Sequence, residues 1–356
     1  RYWEYEQILA AAVAAKASAV FPEFDPPRVR ASLDRLFPHR VESPVDWQRV
    51  AAVVAVLKAL CIISGGPGSG KTTTVARLLA LLLEQGPTPN LRIQLAAPTG
   101  KAAARISASI RTARQELDCP AAVKEAIPAQ ATTLHRLLGT LPGSPYFRHD
   151  AQNPLAVDVV VVDEASMVDL ALMAKLVQAM PPAARLILVG DKDQLASVEA
   201  GAVLADLCGR TAEHRFSREF GATLSAACSE NLQRWCDPNQ QRSGLADCIV
   251  ALRHNYRFAE GSAIGRLSRA VNAGDVATAA GLLRTPPDAS VCWQPLPAPG
   301  EFEQRLSERF REGYRDYLSA ESPAEALKAL GRFTVLTPFN RGPHGVNALN
   351  RLAESS

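Results

Sequence analysis

Apolar positions in the first forty residues recur at helical spacing. Tyr5 to Ala19 reads as an alanine-rich helix, Pro22 to Pro27 breaks it, and a second short helix runs to Phe37. Pro38 to Pro44 reads as a linker. From Asp46 the pattern becomes a regular alternation of short apolar runs and amphipathic stretches. Helix Asp46–Lys58, strand Ala59–Ser64, helix Lys71–Glu84 closed by Gly86, and strand Leu91–Ala96 follow one another. Helix Lys101–Glu116, strand Val157–Val162, helix Leu170–Met180 and strand Arg185–Val189 continue the series. Val157–Val162 is β-branched at every position but Asp158 and does not alternate, as expected of a strand covered on both faces. This order predicts a doubly wound parallel sheet. Residues 209–250 are polar, rich in Arg and Ser, and weakly periodic, so they read as an insertion or connection. A second α/β pattern is expected from Ala251, with helices near Ser262–Ala273 and Glu303–Ala320 and a strand at Phe333–Leu336.

Composition changes this picture little. The chain has 356 residues, enough for two or three domains. Its 47% hydrophobic and 21% charged residues suit a soluble globular protein, and its net charge of +3 tilts only weakly towards an anionic partner. The longest apolar run, Val50 to Leu60, is interrupted by Lys58 and too short to cross a bilayer, so no membrane association is expected. No signal-peptide pattern opens the chain. The seven cysteines include no CxxC pair, which favours reduced thiols in the cytoplasm over a disulfide framework or a zinc finger. The six histidines form no metal-binding pair.

The chemistry is concentrated in three loops. Gly65-Gly66-Pro67-Gly68-Ser69-Gly70-Lys71-Thr72, with Thr73 beside it, is a complete GxxxxGK[ST] loop between a strand and a helix. Its glycines let successive N–H groups face phosphate oxygens at the positive end of the following helix. Lys71 would reach the β- and γ-phosphates of ATP, and the Thr72 hydroxyl would bind Mg²⁺. A chance match in a chain of this glycine content is on the order of one in a hundred. Asp163-Glu164 end the valine strand, where Asp163 can ligate Mg²⁺ and Glu164 can orient or deprotonate the attacking water. Gly190-Asp191-Lys192-Asp193-Gln194 ends the next strand, with Gln194 placed to sense the γ-phosphate. Taken alone, an Asp-Glu pair is an acidic turn and the last loop an ordinary Asp/Gly turn. Following one another on one sheet edge, they form a nucleotide-hydrolysis set.

These loops, in this order, resemble superfamily 1 helicases. Ala97-Pro98-Thr99-Gly100-Lys101-Ala102-Ala103 resembles motif Ia, and Thr132-Thr133-Leu134-His135-Arg136-Leu137-Leu138 resembles motif Ib. Asp163 to Asp169 and Gly190 to Gln194 resemble motifs II and III, and Arg253-His254-Asn255-Tyr256-Arg257-Phe258 motif IV. Leu336 to Gly342, with Gly345 and Leu349-Asn350, resembles the next segment of a second motor domain. The wording is nearest to the RecD family, the alpha subunits of exodeoxyribonuclease V, over essentially the whole chain from the Tyr2–Ala17 helix onward.

The resemblance implies a P-loop NTPase (RecA-like) α/β motor domain over residues 41–250, preceded by the end of a helical domain (1–40) and followed by a partial second RecA-like domain (251–356). It implies an ATP-dependent motor moving 5′ to 3′ on a DNA single strand, in a heterotrimer with RecB-like and RecC-like subunits that resects broken duplex ends for recombination. A stand-alone 5′ to 3′ helicase of the same kind is the alternative. By the same resemblance Gln48 would recognise adenine, and Arg257 would cross from the second motor domain as an arginine finger. Thr99, Gly100, Lys101, Thr133 and His135 would hold the DNA backbone, with Thr337 and Asn340 on the opposite side of the channel. A cytoplasmic, nucleoid-associated location follows. The family's later motifs, including a His-Lys-Ser-Gln-Gly stretch and a second arginine, do not occur before Ser356, and Arg1 rather than Met opens the chain. Both ends are therefore expected to be truncated.

Overall fold

The computed structural model describes residues 2–21, 25–38, 44–85, 91–195, 200–209, 214–237, 239, 244–258 and 261–356. Most of the expected linker Pro38–Pro44, part of the break after the first helix, and Gly86 lie outside these residues. The chain divides into two compact units, Arg1–Asp275 and Val276–Ser356.

In the first unit, α1 (Tyr2–Ser18), α2 (Pro26–Leu36) and α3 (Trp47–Leu57) precede β1 (Leu60–Gly65) and α4 (Lys71–Gln85). There follow β2 (Ile93–Ala97), α5 (Gly100–Glu116), α6 (Ala121–Ala126), β3 (Thr132–Thr133), α7 (Leu134–Leu138) and β4 (Val159–Val162). Then come α8 (Leu170–Ala179), β5 (Arg185–Gly190), α9 (Val203–Cys208), β6 (Phe216–Ser217), α10 (Arg218–Cys228), β7 (Cys236–Asp237), β8 (Ile249–Leu252) and α11 (Ala263–Asn272). Six strands form one parallel sheet in the order β3-β2-β4-β5-β1-β8, and β6 pairs with β7 separately. The doubly wound α/β expectation holds.

Successive strand residues feed opposite cores, as the two-residue repeat of a strand requires. Cys61, Ile63, Val159, Val161, Ile187 and Val189 pack with α2, α3, α4, α5 and α10. Leu60, Ile62, Val160, Val162, Leu186 and Leu188 pack with α1, α7, α8 and α9. Every residue of β1 and β4 is buried, which is why their sequences lack the polar half of an alternating pattern. α3 is buried along its whole length, and Asp46 starts it by accepting hydrogen bonds from the Gln48 and Arg49 amides. The buried Arg49 guanidinium donates to Asp34, to the Phe37 carbonyl and to the Cys228 carbonyl, tying α2, α3 and α10 together. Lys16 of α1 donates to the Ala184 carbonyl at 2.7 Å, anchoring the N-terminal helix just before β5.

Two expectations are corrected. Among the described residues of 209–250, Phe216, Phe220, Leu224, Cys228 and Leu232 are all buried in the first core, so this part of the stretch belongs to the packed domain and is more than a connection. These five are spaced four apart, one stripe of a helix and its flanks; Arg218 and Ser229 between them are exposed, while Ser217 is buried and donates to Asp247. Phe333–Leu336 forms no strand, and the described residues of the second unit contain none. A lone strand has no ladder partner there, so that unit consists of helices α12 (Val276–Arg284), α13 (Pro299–Gly313), α14 (Arg315–Leu318), α15 (Pro323–Leu330) and α16 (Val346–Ser355). β8 spans Ala251, the residue from which a second domain was expected, and pairs in register with β1 through Ile62↔Ile249 to Gly65↔Leu252.

Candidate active site

Because the sheet is parallel, the loops after β1, β4, β5 and β8 all emerge at one end. This is where an open α/β sheet carries its ligand site. The loop after β1 is tight: Gly68 and Gly70 have φ of +82° and +81°, the left-handed region that glycine occupies at no steric cost. α4 begins at Lys71, so the free N–H groups of its first turn point back into the loop. The Lys71 ammonium folds over the loop and donates to the Gly65 and Gly66 carbonyls at 2.5 and 3.2 Å.

A cavity of about 590 Å³ is lined by Pro67, Gly68, Ser69, Gly70, Lys71, Thr72 and Thr73 on one side and by Asp163, Glu164 and Gln194 on another, with Arg105, Ile106, Ser109, Tyr256 and Arg257 completing it. The structure thus brings Lys71, Thr72, Asp163, Glu164, Gln194 and Arg257 together. Burial, then the neighbouring Glu164 charge, pushes the Asp163 carboxyl up to about 6. Burial also lowers the Lys71 ammonium, partly offset by Asp191, Glu164 and Asp163. Two adjacent carboxylates held in a partly desolvated wall, beside a threonine hydroxyl, are a hard-oxygen donor set that suits Mg²⁺. Glu164 has φ of +53°, a left-handed conformation that is strained for a non-glycine residue.

Arg257 arrives by a route the resemblance did not imply. It follows β8 of the same sheet and belongs to the same compact unit as the loop after β1. The segment is stitched to that loop: the Tyr256 amide donates to the Gly68 carbonyl at 2.8 Å and Asn255 Nδ2 donates to the Pro67 carbonyl at 2.9 Å. Asn255 Oδ1 then accepts from the Arg257 and Phe258 amides, shaping the turn that presents Arg257. Gln48 is 7% exposed and lies beneath the loop, its amide donating to the Ser69 carbonyl at 3.4 Å.

The residues expected to hold DNA fall into two groups. β2 and β3 pair through Ala96↔Thr132 and Ala97↔Thr133, so Thr99–Lys101 and Thr133–His135 leave adjacent strand ends together. Thr99 caps α5 by accepting from the Ala102 amide, and Thr133 caps α7 by accepting from the Arg136 amide. His135 is exposed, its ring 5.7 Å from that of Phe147. Thr337 and Asn340 lie in the second unit, where the Thr337 hydroxyl donates to the His344 carbonyl at 2.6 Å and the Asn340 carbonyl accepts from the Asn347 amide. Arg105, Asn255 and Tyr256 were not expected at the site. Asn255 and Tyr256 sit inside the quoted motif IV segment, whereas Arg105 looks like any arginine on an amphipathic helix.

Comparisons with known proteins agree with this architecture. A family model described as an AAA domain matches residues 48–200. The chain is 42% identical over 250 residues to the RecBCD enzyme subunit RecD of Haemophilus influenzae, covering 69% of this chain and 38% of that protein. It is 45% identical over 289 residues to the RecBCD enzyme subunit RecD of Mycobacterium tuberculosis, covering 80% of this chain and 43% of that protein. It is also 41% identical over 148 residues to the ATP-dependent RecD2 DNA helicase of Deinococcus radiodurans, covering 42% of this chain and 18% of that protein. The chain therefore spans about two fifths of the RecD subunits' length. No helix among the described residues is long and apolar enough to cross a membrane. Over the residues it spans, the chain belongs to the RecD family.

Proposed function

We propose that this chain is the ATP-hydrolysing part of a 5′ to 3′ DNA helicase subunit, acting with RecB-like and RecC-like partners on single strands at duplex ends in double-strand-break repair. The observation that carries this reading is the single cavity joining the loop after β1, the Asp163-Glu164 pair and Arg257. The neighbouring strand ends, which carry Thr99–Lys101 and Thr133–His135, supply the DNA side. In this reading Lys71 and the loop amides hold the β- and γ-phosphates, and Thr72 and Asp163 hold Mg²⁺, which neutralises phosphate charge when bound. Glu164 accepts a proton from, or orients, the attacking water, Gln194 senses the γ-phosphate, and Arg257 stabilises the charge that develops on it. Gln48 acts at the adenine end. In this reading the nucleotide-binding motor domain runs on past residue 250 through β8 and the turn that carries Arg257, and a partner motor domain begins only beyond the first compact unit, which ends at Asp275. The location that follows is the cytoplasm, at the nucleoid.

Lys71→Gln tests the motor reading. It should abolish ATP turnover while leaving the circular dichroism spectrum and melting behaviour intact, and DNA-stimulated hydrolysis surviving in that variant would overturn the proposal. The likeness to the RecD2 helicase supports a second reading, a stand-alone 5′ to 3′ helicase of the same chemistry. Affinity capture of the full-length protein from its native cell separates the two. Co-purification of two larger subunits supports the heterotrimer, and recovery of the protein alone supports the stand-alone enzyme.

A further inference from the structure

Every charged group lining the cavity has a role above except Arg105. It lies on α5, with Thr99 as the cap of that helix and Gly100-Lys101 as its first residues. Its neighbours on the same helix, Ile106 and Ser109, also line the cavity. Ile106 and Ile110 are buried in the core beneath, so α5 packs as one rigid piece and its cavity-lining side chains move with it. The guanidinium makes no hydrogen bond or ion pair with another described residue.

We infer that Arg105 is a γ-phosphate ligand whose position is set by single-stranded DNA at the start of α5. This inference rests on the nucleotide-site reading above and extends it. Arg105 is close enough for its charge to bear on both Lys71, which marks the β- and γ-phosphate end, and Asp163, which marks the opposite wall. Among the cavity's side chains, Lys71 and Arg257 balance the paired carboxylates, and Arg105 makes the site net cationic by one charge. A triphosphate exceeds a diphosphate by the γ group, which is where an additional cation discriminates most. A planar guanidinium suits such a group because it can donate two parallel hydrogen bonds to phosphate oxygens. The linkage to DNA follows from α5 itself. A strand held by Thr99–Lys101 fixes the N-terminal turn of the helix, and Arg105 projects from the next turn, so one rigid element serves both sites.

The test compares nucleotide affinities of the purified chain and its Arg105→Ala variant, with ADP, ATPγS and a dT oligonucleotide as probes. Arg105→Ala should leave ADP affinity within about twofold and weaken ATPγS binding by about tenfold, the loss of one charge-assisted contact. The oligonucleotide should tighten ATPγS binding to the parent chain and not to the variant, because coupling between two sites is reciprocal. Arg105→Lys should recover only part of the ATPγS affinity, since it keeps the charge without the planar fork. Equal weakening of ADP and ATPγS, or unchanged selectivity between them, would overturn the γ-phosphate role. Retained tightening by the oligonucleotide in Arg105→Ala, or none in the parent chain, would overturn the link through α5. A parent chain that binds no ADP at all would instead overturn the nucleotide-site reading on which the inference rests.

Discussion

Gly68→Ala is the substitution that most directly probes how the phosphate loop and Arg257 are held together. Gly68 has φ of +82°, so an alanine there adopts a left-handed backbone costing about 1–2 kcal/mol. Its Cβ would lie 2.6 Å from the Arg257 Cβ and 2.8 Å from Asn255 Oδ1, both well inside contact distance. The 253–258 segment must then move, which loosens the Tyr256–Gly68 and Asn255–Pro67 hydrogen bonds, about 1 kcal/mol each. The sum is about 3–4 kcal/mol, a large fraction of the stability of an ordinary domain. Gly66→Ala is the matched comparison, because a Cβ at Gly66 meets nothing within 4 Å. Urea denaturation should show Gly68→Ala far less stable than Gly66→Ala. ATP turnover should fall by about 100-fold in Gly68→Ala as Arg257 leaves the cavity. A Gly68→Ala protein with the same urea midpoint as Gly66→Ala would refute the packing argument. A stable Gly68→Ala protein with full turnover would show that Arg257 need not be held there.

Further expectations concern single residues. Arg257→Ala should lower turnover by about a thousandfold while nucleotide affinity, measured by equilibrium titration, stays within a few-fold; a loss of affinity without a turnover effect would contradict the finger role. His214 is stacked on Trp47 at 3.5 Å between ring centroids, and its Nε2 accepts from the Ala251 amide at 2.8 Å. Burial and the Arg253 charge lower its pKa to about 3. The unfolded chain gains this proton below about pH 6.5 and the folded chain does not, so stability is fully present above pH 6.5 and is lost as pH falls towards 3. The slope in that window is about 1.4 kcal/mol per pH unit from this residue. Denaturation of His214→Gln between pH 7 and 5 should show a shallower slope, and an unchanged slope would contradict the assignment.

Much of the site could be read from the sequence because its residues are adjacent along the chain. Gly65–Thr72 is contiguous, and Val159–Val162 announces a strand whose end must carry Asp163. What the sequence concealed depends on pairing between distant segments. Nothing in Ile249–Leu252 says that it lies beside β1 rather than in a second sheet, yet that pairing brings Arg257 into the same unit as the phosphate loop. The stripe from Phe216 to Leu232 was visible at four-residue spacing but was diluted by the intervening polar residues. Arg105 carried no local signal, since a surface arginine on α5 differs from its neighbours only in what stands opposite. The strand expected at Phe333–Leu336, which does not form, is the converse error, β-branched and aromatic propensity without a partner strand.

The sheet order has a mechanical consequence. Two of the segments expected to grip DNA leave β3 and β2, and the loops that line the cavity leave β4, β5, β1 and β8. Among the described residues, the ladder that joins the two sets within the sheet is the β2–β4 pair, from Ile93↔Val159 to Ala96↔Val162. Its last rung is the Asp163 amide donating to the Ala96 carbonyl at 2.9 Å, three residues before Thr99. Load applied to a held strand would thus reach the acidic pair along a short, stiff peptide path, with hydrogen bonds strained in shear rather than peeled one at a time. A spring of that kind transmits displacements of tenths of an ångström with little loss, which is the scale on which the alignment of an attacking water is decided.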